Sequence, residues 1–227
     1  MNAVTTSESS RKNLKILAVC LATVAGYVDA YGYLTFTTFV SFMSGNTTHA
    51  GYNIGLRTYH AALPAVCAIL FFVTGVFAGT LLTSSRARHS RRLLYLSITC
   101  LLALYIAAFH LGALSTFPGI ALLSFTMGVM NTALSRVGMQ TVNLTFVTGT
   151  LNQIGGHLAL AAKRERLSAA ESEGDTHFRR AMMLSLIWGG FLGGAVLGGA
   201  ATSLLREWML LIPLLIMLVL ALIGPAR

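Results

Sequence analysis

Charged residues are scarce in this chain of 227 residues: they make up 10% of it, whereas 55% is hydrophobic. A soluble domain carries charge on roughly a quarter of its residues, so this composition excludes an ordinary soluble enzyme. The apolar stretches are also too long and too continuous for the core of so small a domain. We therefore expect a lipid bilayer to surround them.

Sequence motifs for cofactors and catalysis are missing as well. The chain has no phosphate-binding Walker loop, no dinucleotide glycine fingerprint, no His-Glu-x-x-His and no Cys-x-x-Cys. Its three cysteines, Cys20, Cys67 and Cys100, lie inside apolar stretches and indicate neither a disulfide nor a metal site. The one nearby nucleophile and base, Ser44 and His49, are too little to indicate an enzyme. We expect no cofactor, no metal, no catalytic residue and no enzymatic activity.

Apolar runs of roughly 17 to 25 residues, the length that crosses a bilayer, cover six parts of the chain. They are residues 14–36, 60–83, 93–111, 118–138, 181–205 and 208–224. Two further segments, residues 44–56 and 148–162, look helical but are too short and too polar to span alone. The pattern predicts an all-α polytopic membrane protein with six transmembrane helices and two re-entrant half-helices.

Positive charge is unevenly distributed. The net charge of +9 comes from 16 Lys and Arg against 7 Asp and Glu, which in a soluble protein would suggest a nucleic-acid partner. If each half-helix returns to the side it entered from, however, the cations fall on one side of the membrane except for Arg57, Arg206 and the intramembrane Arg136. Because loops rich in Lys and Arg stay cytoplasmic, we expect a bacterial inner-membrane protein with both termini cytoplasmic and no bound nucleic acid. Were the two short segments full crossings, this bias would weaken.

The two halves of the chain repeat each other weakly. The run GYVDA, which contains Asp29, corresponds to GVMNT, which contains Asn131. Likewise, FMSGN ending at Asn46 corresponds to FVTGT ending at Thr150. Each half then continues with a glycine-patterned span and a closing apolar span.

Three full spans in each half make the second copy enter the membrane upside down, and such inverted-topology repeats are typical of transporters and channels. Chance similarity between two apolar halves is the alternative. The expected layout is a cytoplasmic N-terminal tail at 1–13, a first membrane repeat at 14–111 and a second at 112–227, with a cytoplasmic loop at 163–180.

Glycines recur four residues apart in the span that follows each half-helix. They are Gly75 and Gly79 in the first half and Gly190, Gly194 and Gly198 in the second. Because such glycines let helices approach closely, we interpret them as packing positions within each repeat. A contact between two copies of the chain, in a homodimer, is the alternative.

The run GYVDAYGYL followed by FVSFMSGNTTHAG resembles the signature of the YoaK family, which comprises small bacterial integral-membrane proteins with a domain of unknown function. The resemblance covers nearly the whole chain. It implies a small polytopic membrane protein but supplies no activity, so the function has to be inferred from the residues.

The starts of the two half-helices are rich in glycine, hydroxyl and amide groups. Unsatisfied N–H groups there lie at the positive end of the helix dipole, and in an inverted repeat the two starts would face each other near the midplane of the membrane. Such a site suits an anion or a polar neutral solute; the alternative is two helices capped by their own Ser and Thr. The residues predicted to bind solute are Ser44, Gly45, Asn46 and Thr47 in the first half and Thr148, Gly149, Thr150 and Asn152 in the second. The segments before these starts, residues 37–43 and 141–147, are β-branched and aromatic and are predicted to be extended.

Apart from Lys15 at the very start of the first span, two charged residues fall inside predicted spans, Asp29 in the first and Arg136 in the fourth. Charges in a bilayer are costly and usually face a partner or a cavity. They could pair directly as a structural salt bridge. Alternatively, Arg136 binds an anionic substrate and Asp29 is the carboxylate that couples transport to a proton or cation. In a third interpretation Arg136 snorkels to the cytoplasmic surface.

Two more side chains near these groups are candidates. Tyr27 shares a helix face with Tyr31 beside Asp29 and is predicted to line the solute path, although tyrosines are also common interface anchors. His49, on the first half-helix, is predicted to take part in coupling, or else to be a hydrogen-bonding spacer. Together these features favour a secondary transporter of a small polar or anionic solute; a passive channel of hourglass layout and a non-transporting membrane scaffold or sensor are the alternatives.

Overall fold

The computed structural model consists of α-helices and one very short strand pair. It describes residues 2–84, 90–133, 136–137, 140–141, 147–167, 170 and 174–223. In these residues the elements are α1 (Asn2–Phe36), α2 (Met43–Gly55), α3 (Tyr59–Ser84), α4 (Ser90–His110), α5 (Thr116–Asn131), β1 (Arg136–Val137), β2 (Gln140–Thr141), α6 (Val147–Ala162), α7 (His177–Leu205) and α8 (Leu211–Ile223). A 3₁₀ turn, Arg206–Trp208, precedes α8.

Within the described residues, four helical segments are long and apolar enough to cross a bilayer. They are Asn13–Phe36, Tyr59–Ser84, Arg91–His110 and His177–Leu205. The helices α5 and α8 are apolar too, but their 16 and 13 residues extend only about 24 and 20 Å. Both lengths fall short of the roughly 30 Å of a hydrocarbon core. The chain is thus an all-α polytopic membrane protein, with four of the six predicted spans at full length.

The two short polar helices lie where the sequence predicts them. Helix α2 starts one residue before the predicted segment 44–56, and α6 starts one residue before 148–162. The segments before them differ from the prediction of extended chain. Residues 37–42 are a series of bends rather than a strand, and of 141–147 only Thr141 and Val147 belong to the described residues.

The predicted end of the fourth span is wrong, and with it the predicted position of Arg136. The fourth span was expected to reach residue 138, but α5 ends at Asn131, because the N–H and hydroxyl of Thr132 both bond to the Val129 carbonyl and tighten the last turn. Arg136 therefore lies in β1, paired antiparallel with β2, and not in a transmembrane helix. The segment expected to be a cytoplasmic tail, residues 1–13, continues α1 as helix from Asn2, because extending an existing helix adds one hydrogen bond per residue. Its cytoplasmic location stays a prediction.

The starts of the last two predicted spans also shift. Helix α7 begins at His177, inside the expected loop at 163–180, in which residues 168, 169 and 171–173 lie outside the described part of the chain. Helix α8 begins at Leu211, after the 3₁₀ turn, with Pro213 in its first turn, where a missing N–H costs no intrahelical bond. Residue 224, the predicted end of the sixth span, also lies outside the described residues.

The chain forms two compact units, which are described separately. The first comprises Met1–Gly26 and Leu134–Gly194, and the second comprises Tyr27–Ala133 and Ala195–Arg227. In the second unit α3 packs against α2 and α5, and α4 packs against α5 and α8. These units follow packing contacts and do not coincide with the predicted repeats at 14–111 and 112–227, which remain a prediction from the sequence.

Two glycines of α3 allow close contact with α5 in the second unit. A Cβ built on Gly75 would collide with the backbone carbonyl of Phe125, and one on Gly79 would lie 3.1 Å from Cα of Val129. These glycines were expected to pack within their own repeat. Their partner helix belongs to the other predicted repeat instead.

Two glycines of α7 make the same kind of contact with α1. A Cβ on Gly194 would collide with the backbone carbonyl of Thr23, in the first unit, and one on Gly198 would lie 2.9 Å from the carbonyl oxygen of Tyr27, in the second unit. Here as well the partner helix belongs to the other predicted repeat. The spaced glycines therefore serve helix packing inside the chain.

Candidate functional site

After α1 the chain turns back along the same helix. Asp29 is 4% exposed, and its Oδ1 accepts hydrogen bonds from the backbone N–H of Val40 at 2.9 Å and of Ser41 at 2.8 Å. Phe36, where α1 ends, is two turns further along the helix, a rise of about 10 Å. Residues 37–42, here called the return loop, therefore run back beside the last two turns of α1 to the level of Asp29.

Two backbone features make this return possible. Thr37 has φ 54°, a left-handed conformation that is costly for a β-branched residue and persists only where the surroundings enforce it. Gly32 provides the space, because a Cβ there would lie 2.7 Å from Cγ1 of the fully buried Val40. The glycine and the strained threonine thus allow the return loop to pack directly on α1.

Asn46 holds the return loop from the other side. This residue of α2 is 2% exposed, and its Nδ2 donates a hydrogen bond to the Phe39 carbonyl at 2.6 Å. A carboxylate on α1 thus accepts bonds from the loop's N–H groups, while an amide on α2 donates to one of its carbonyls. The two polar residues that stand out in the GYVDA and FMSGN runs both position this loop.

A cavity of about 630 Å³, here called the α2 cavity, lies beside the start of α2. Four of the predicted site residues line it, Ser44, Gly45, Asn46 and His49, together with Thr48. All of them come from the first turns of α2. The structure thus brings most of the candidates from the first half of the chain into one place.

The other walls of the α2 cavity are aromatic, which the sequence did not indicate. Tyr33, Phe39, Phe42 and Tyr52 contribute rings to it. Two of these rings belong to the return loop and two to the adjoining helices, so they converge only because the loop doubles back. The run FVSFMSGN could have indicated Phe39 and Phe42 as candidates, but no local pattern indicates that the four rings meet.

Helix α2 begins without a capping side chain. Its N-cap residue is Phe42, and among the described residues no side chain caps this helix start. The hydroxyls of Thr47 and Thr48 donate instead to the carbonyls of Met43 and Ser44, one turn earlier. The alternative of a helix capped by its own Ser and Thr therefore does not describe α2, whose positive dipole end adjoins the α2 cavity.

Two predicted residues from the first half lie elsewhere. Tyr27 is 3% exposed, and its hydroxyl donates to the Met209 carbonyl at 3.0 Å, which gives it a packing role in the second unit. Neither Tyr27 nor Thr47 is among the described residues that line the α2 cavity.

The predicted site of the second half lies in the first unit, at the start of α6. Thr150 is buried, Thr148 and Asn152 are exposed and Gly149 is intermediate. Arg136 belongs to β1 in the same unit, and its side chain is outside the described part of the structure. The suggested ion pair with Asp29 therefore remains a prediction.

A further polar cluster in the first unit joins the end of α6 to the start of α7. Nδ1 of His157 lies 2.8 Å from Nδ1 of His177, and Arg180 forms a 2.7 Å salt bridge with Asp175 nearby. His157 lies outside the four candidate spans. Burial, followed by the charges of His177 and Arg180, lowers the pKa of His157 below its ordinary value of 6.5, and Asp175 acts in the opposite direction.

Comparison with known proteins places the chain in a family. Residues 17–223 match the family described as "Protein of unknown function (DUF1275)". The chain is 30% identical over 207 residues to the UPF0700 transmembrane protein RA0705 of Rhizobium meliloti (strain 1021), a match that covers 85% of this chain and 88% of that protein. It is 28% identical over 147 residues to the UPF0700 transmembrane protein YoaK of Bacillus subtilis (strain 168), covering 62% of this chain and 64% of that protein, slightly less than two thirds.

No solved structure matches the chain. The resemblance to the YoaK family, inferred from GYVDAYGYL and the run that follows it, is confirmed by these relatives. Their names describe transmembrane proteins, in agreement with the long apolar helices of this structure. The chain is a transmembrane protein that belongs to the DUF1275 family.

Proposed function

We propose that the chain is a secondary transporter that binds a small polar or anionic solute in the α2 cavity. The observation that carries this proposal is the return loop, which puts the start of a helix and a cavity at the level of a buried carboxylate, two turns inside a membrane-crossing helix. The volume of about 630 Å³ falls within the range of about 300–1,000 Å³ that is usual for small-molecule sites.

The backbone of the return loop supports a solute path. Non-helical backbone at membrane depth is tolerated only where it is buried in protein or lines a water-filled cavity. The return loop meets both conditions, because Asp29 and Asn46 bind its polar groups while Phe39 and Phe42 line the α2 cavity. A loop that only connected two helices could lie at the membrane surface, where water satisfies its backbone groups.

The length and starting depth of α2 support the proposal of a re-entrant half-helix. Its 13 residues extend about 20 Å, too short to cross the bilayer. It starts next to Ser41, whose N–H binds Asp29, and therefore beside the interior of α1. On this basis we keep α2 as a half-helix. The six-span layout still rests on the apolar runs of the sequence, because α5 and α8 are also shorter than a full crossing.

Recurrent helix contacts support the proposed repeat. Gly75 meets Phe125 as Gly194 meets Thr23, and the sequence offset from Thr23 to Phe125 equals the offset from Asp29 to Asn131. In each half, a glycine from the other half thus packs against the backbone at the corresponding position. Because inverted repeats are characteristic of transporters, this pattern favours transport over a scaffold role.

Asp29 has a defined way to couple transport to a proton. As a carboxylate it accepts two N–H groups of the return loop; taking up a proton weakens both bonds, because charge-assisted hydrogen bonds are the stronger ones. Loosening of the return loop would change the walls of the α2 cavity, of which Phe39 and Thr38 are part. Asp29 then acts by positioning the loop, and His49, which lines the α2 cavity, is the second residue that we propose for coupling.

The remaining parts of the proposal come from the sequence. The bias of Lys and Arg supports an inner-membrane protein with cytoplasmic termini. We propose transport and not catalysis, with no cofactor and no nucleic-acid partner. The bilayer and the solute are the expected partners, and a homodimer is compatible with this function.

Flux measurements on proteoliposomes test the proposal. Purified protein is reconstituted into vesicles, and uptake of radiolabelled inorganic anions, organic acids, amino acids and neutral aromatic amides is measured in turn, with and without a proton gradient. A transporter gives saturable flux of at least one solute that depends on the proton gradient. Flux that rises linearly with concentration and ignores the proton gradient would indicate a channel, and absence of flux for every solute would indicate a scaffold or sensor.

A matched pair of variants links the flux to the α2 cavity. Ser44→Phe fills the cavity from an exposed position and should abolish flux. Thr74→Phe places the same ring on the exposed face of α3, away from the cavity, and should leave flux unchanged. Equal flux in both variants would contradict the assignment of the cavity.

A further inference from the structure

The rings around the α2 cavity offer both faces and edges to a solute. Tyr33 and Phe39 are stacked, with centroids 4.6 Å apart and an interplanar angle of 21°. Phe42 meets Phe39 edge-on at 5.2 Å and 89°, and Tyr52 meets His49 in the same manner at 5.1 Å and 76°. Aromatic rings prefer such offset-stacked and edge-to-face neighbours, so a further flat ring can extend this cluster.

The lining of the α2 cavity is poor in charge. Among the described residues that line it there is no Asp, Glu, Lys or Arg. An ion moved into such a place loses its hydration without gaining a counter-charge, which is costly. The start of α2 supplies only about half a positive charge, enough to orient a carbonyl dipole. The cavity therefore favours an uncharged solute over the anion that the sequence also allows.

The polar groups of the α2 cavity suit an amide-like edge. Thr48 donates its hydroxyl proton to the Ser44 carbonyl at 3.1 Å, which leaves its oxygen lone pairs to accept a hydrogen bond. The exposed hydroxyl of Ser44 can donate or accept. His49 as a neutral imidazole also has one donor and one acceptor nitrogen. A solute with a neighbouring N–H and C=O can use these groups at once.

We infer that the solute bound in the α2 cavity is an uncharged, planar heteroaromatic molecule with an amide-like edge, stacked on the aromatic walls. This inference rests on the proposed function, because it names the class of solute for the same cavity. The stacked rings of the cavity favour a flat solute, and the lack of charged side chains favours an uncharged one. Ser44, Thr48 and His49 can form hydrogen bonds with the amide-like edge.

Calorimetric titration of the full-length protein in detergent tests the inference with four probes. Nicotinamide and 2-pyridone have the flat ring and the amide edge. Nicotinate has the ring of nicotinamide but carries a negative charge, and cyclohexanecarboxamide has the amide without the flat ring. The two heteroaromatic amides should bind, and nicotinate and cyclohexanecarboxamide should each bind at least about tenfold more weakly.

Two tyrosine variants locate this binding. Tyr52→Leu removes one exposed ring of the cavity and should weaken nicotinamide binding about threefold to tenfold. Tyr59→Leu removes an equally exposed ring on α3, outside the cavity lining, and should bind nicotinamide as the wild type does. Equal weakening in both variants, or in neither, would overturn the stacking assignment.

The results also separate this inference from the proposed function. If nicotinate binds as tightly as nicotinamide, or if neither heteroaromatic amide binds, the solute class is wrong, and flux of an anion in proteoliposomes would then show that transport still holds. If nicotinamide binds as expected but no solute gives flux, the class holds and the transporter proposal fails.

Discussion

Oδ1 of Asp29 lies 2.8 Å from the backbone nitrogen of Ser41, although twelve residues separate them in the chain. The same oxygen accepts the N–H of Val40, so one side chain fixes how far the chain runs back beside α1. A charged residue inside a span is usually read as a functional site. Here its first role is to hold backbone that would otherwise lack partners, and any coupling by Asp29 acts through that loop.

Replacing Asp29 separates these two roles. Asp29→Ala leaves two buried N–H groups without an acceptor, at a cost of about 1–3 kcal/mol each, and should lower the melting temperature markedly. Asp29→Asn keeps an oxygen acceptor and should unfold close to the wild-type temperature while losing proton-coupled flux. Melting temperatures in detergent and flux in proteoliposomes check the pair. Equal stability of Asp29→Ala and wild type would contradict the role of Asp29 in holding the loop.

The contact between Gly32 and Val40 gives a second prediction. Gly32→Ala pushes a methyl group into Val40, 2.7 Å away, and should destabilise the protein by about 1–3 kcal/mol, as overpacking does. Gly51→Ala, on α2, is the control: no described atom lies within 4 Å of its Cβ, and alanine should raise helix stability there by up to about 1 kcal/mol. The change in melting temperature should therefore have opposite sign in the two variants.

A double variant tests whether Val40 is the cause. Adding Val40→Ala to Gly32→Ala removes the clash, so the two substitutions should cost less together than the sum of their separate effects. Strict additivity would show that Gly32 is needed for another reason.

Close packing of α3 on α5 predicts a third effect. Gly75→Ala would force the Phe125 carbonyl away, and because backbone cannot move aside as a side chain can, the loss should be about 1–3 kcal/mol. Gly156→Ala, on α6, has no described neighbour within 4 Å of the new Cβ and should not be destabilising. Thermal unfolding of both variants is the measurement, and a stable Gly75→Ala would contradict the observed helix contact.

The paired imidazoles of His157 and His177 predict a pH dependence of stability. Because burial lowers the pKa of His157 from its ordinary 6.5, the folded state binds fewer protons than the unfolded state just below that pH. The stabilising contribution is therefore complete above the ordinary pKa and is lost as the pH falls through the lowered one. The titratable and charged groups that face His157 are His177, Arg180 and Asp175.

Melting temperatures measured between about pH 8 and pH 5 should fall less steeply on the acid side in His157→Gln than in wild type. His60→Gln, which changes an exposed histidine of α3, should follow the wild-type curve. Identical curves for His157→Gln and wild type would show that the pair does not contribute.

The helices could be predicted closely from the sequence because hydropathy and glycine content are local properties. Even the short helices α2 and α6 begin within one residue of their predicted starts. The end of α5 could not be predicted, because apolar residues such as Ala133, Leu134 and Val137 continue past Asn131 and only the bonds of Thr132 show that the helix stops. The position predicted for Arg136 was wrong for the same reason.

The candidate site was predictable in part. Ser44, Gly45, Asn46 and His49 share a polar, glycine-containing segment, and the cavity that they line was expected at a helix start. The hydrogen bond from Asn46 to Phe39 and the bonds from the return loop to Asp29 join separate segments. No local pattern indicates such contacts, so the aromatic walls that depend on them could not be predicted either.

Thiol labelling in membranes tests whether α2 starts at a water-accessible cavity inside the bilayer. Ser44→Cys in spheroplasts should react with a membrane-impermeant maleimide, because a thiol needs water to ionise and react. Leu70→Cys, equally open on the surface of α3 but expected to face lipid, should stay unreactive, and the wild type with Cys20, Cys67 and Cys100 supplies the background. Labelling of Ser44→Cys well above both is the predicted result. A Ser44→Cys signal no higher than that of Leu70→Cys would show that the start of α2 is not open to water.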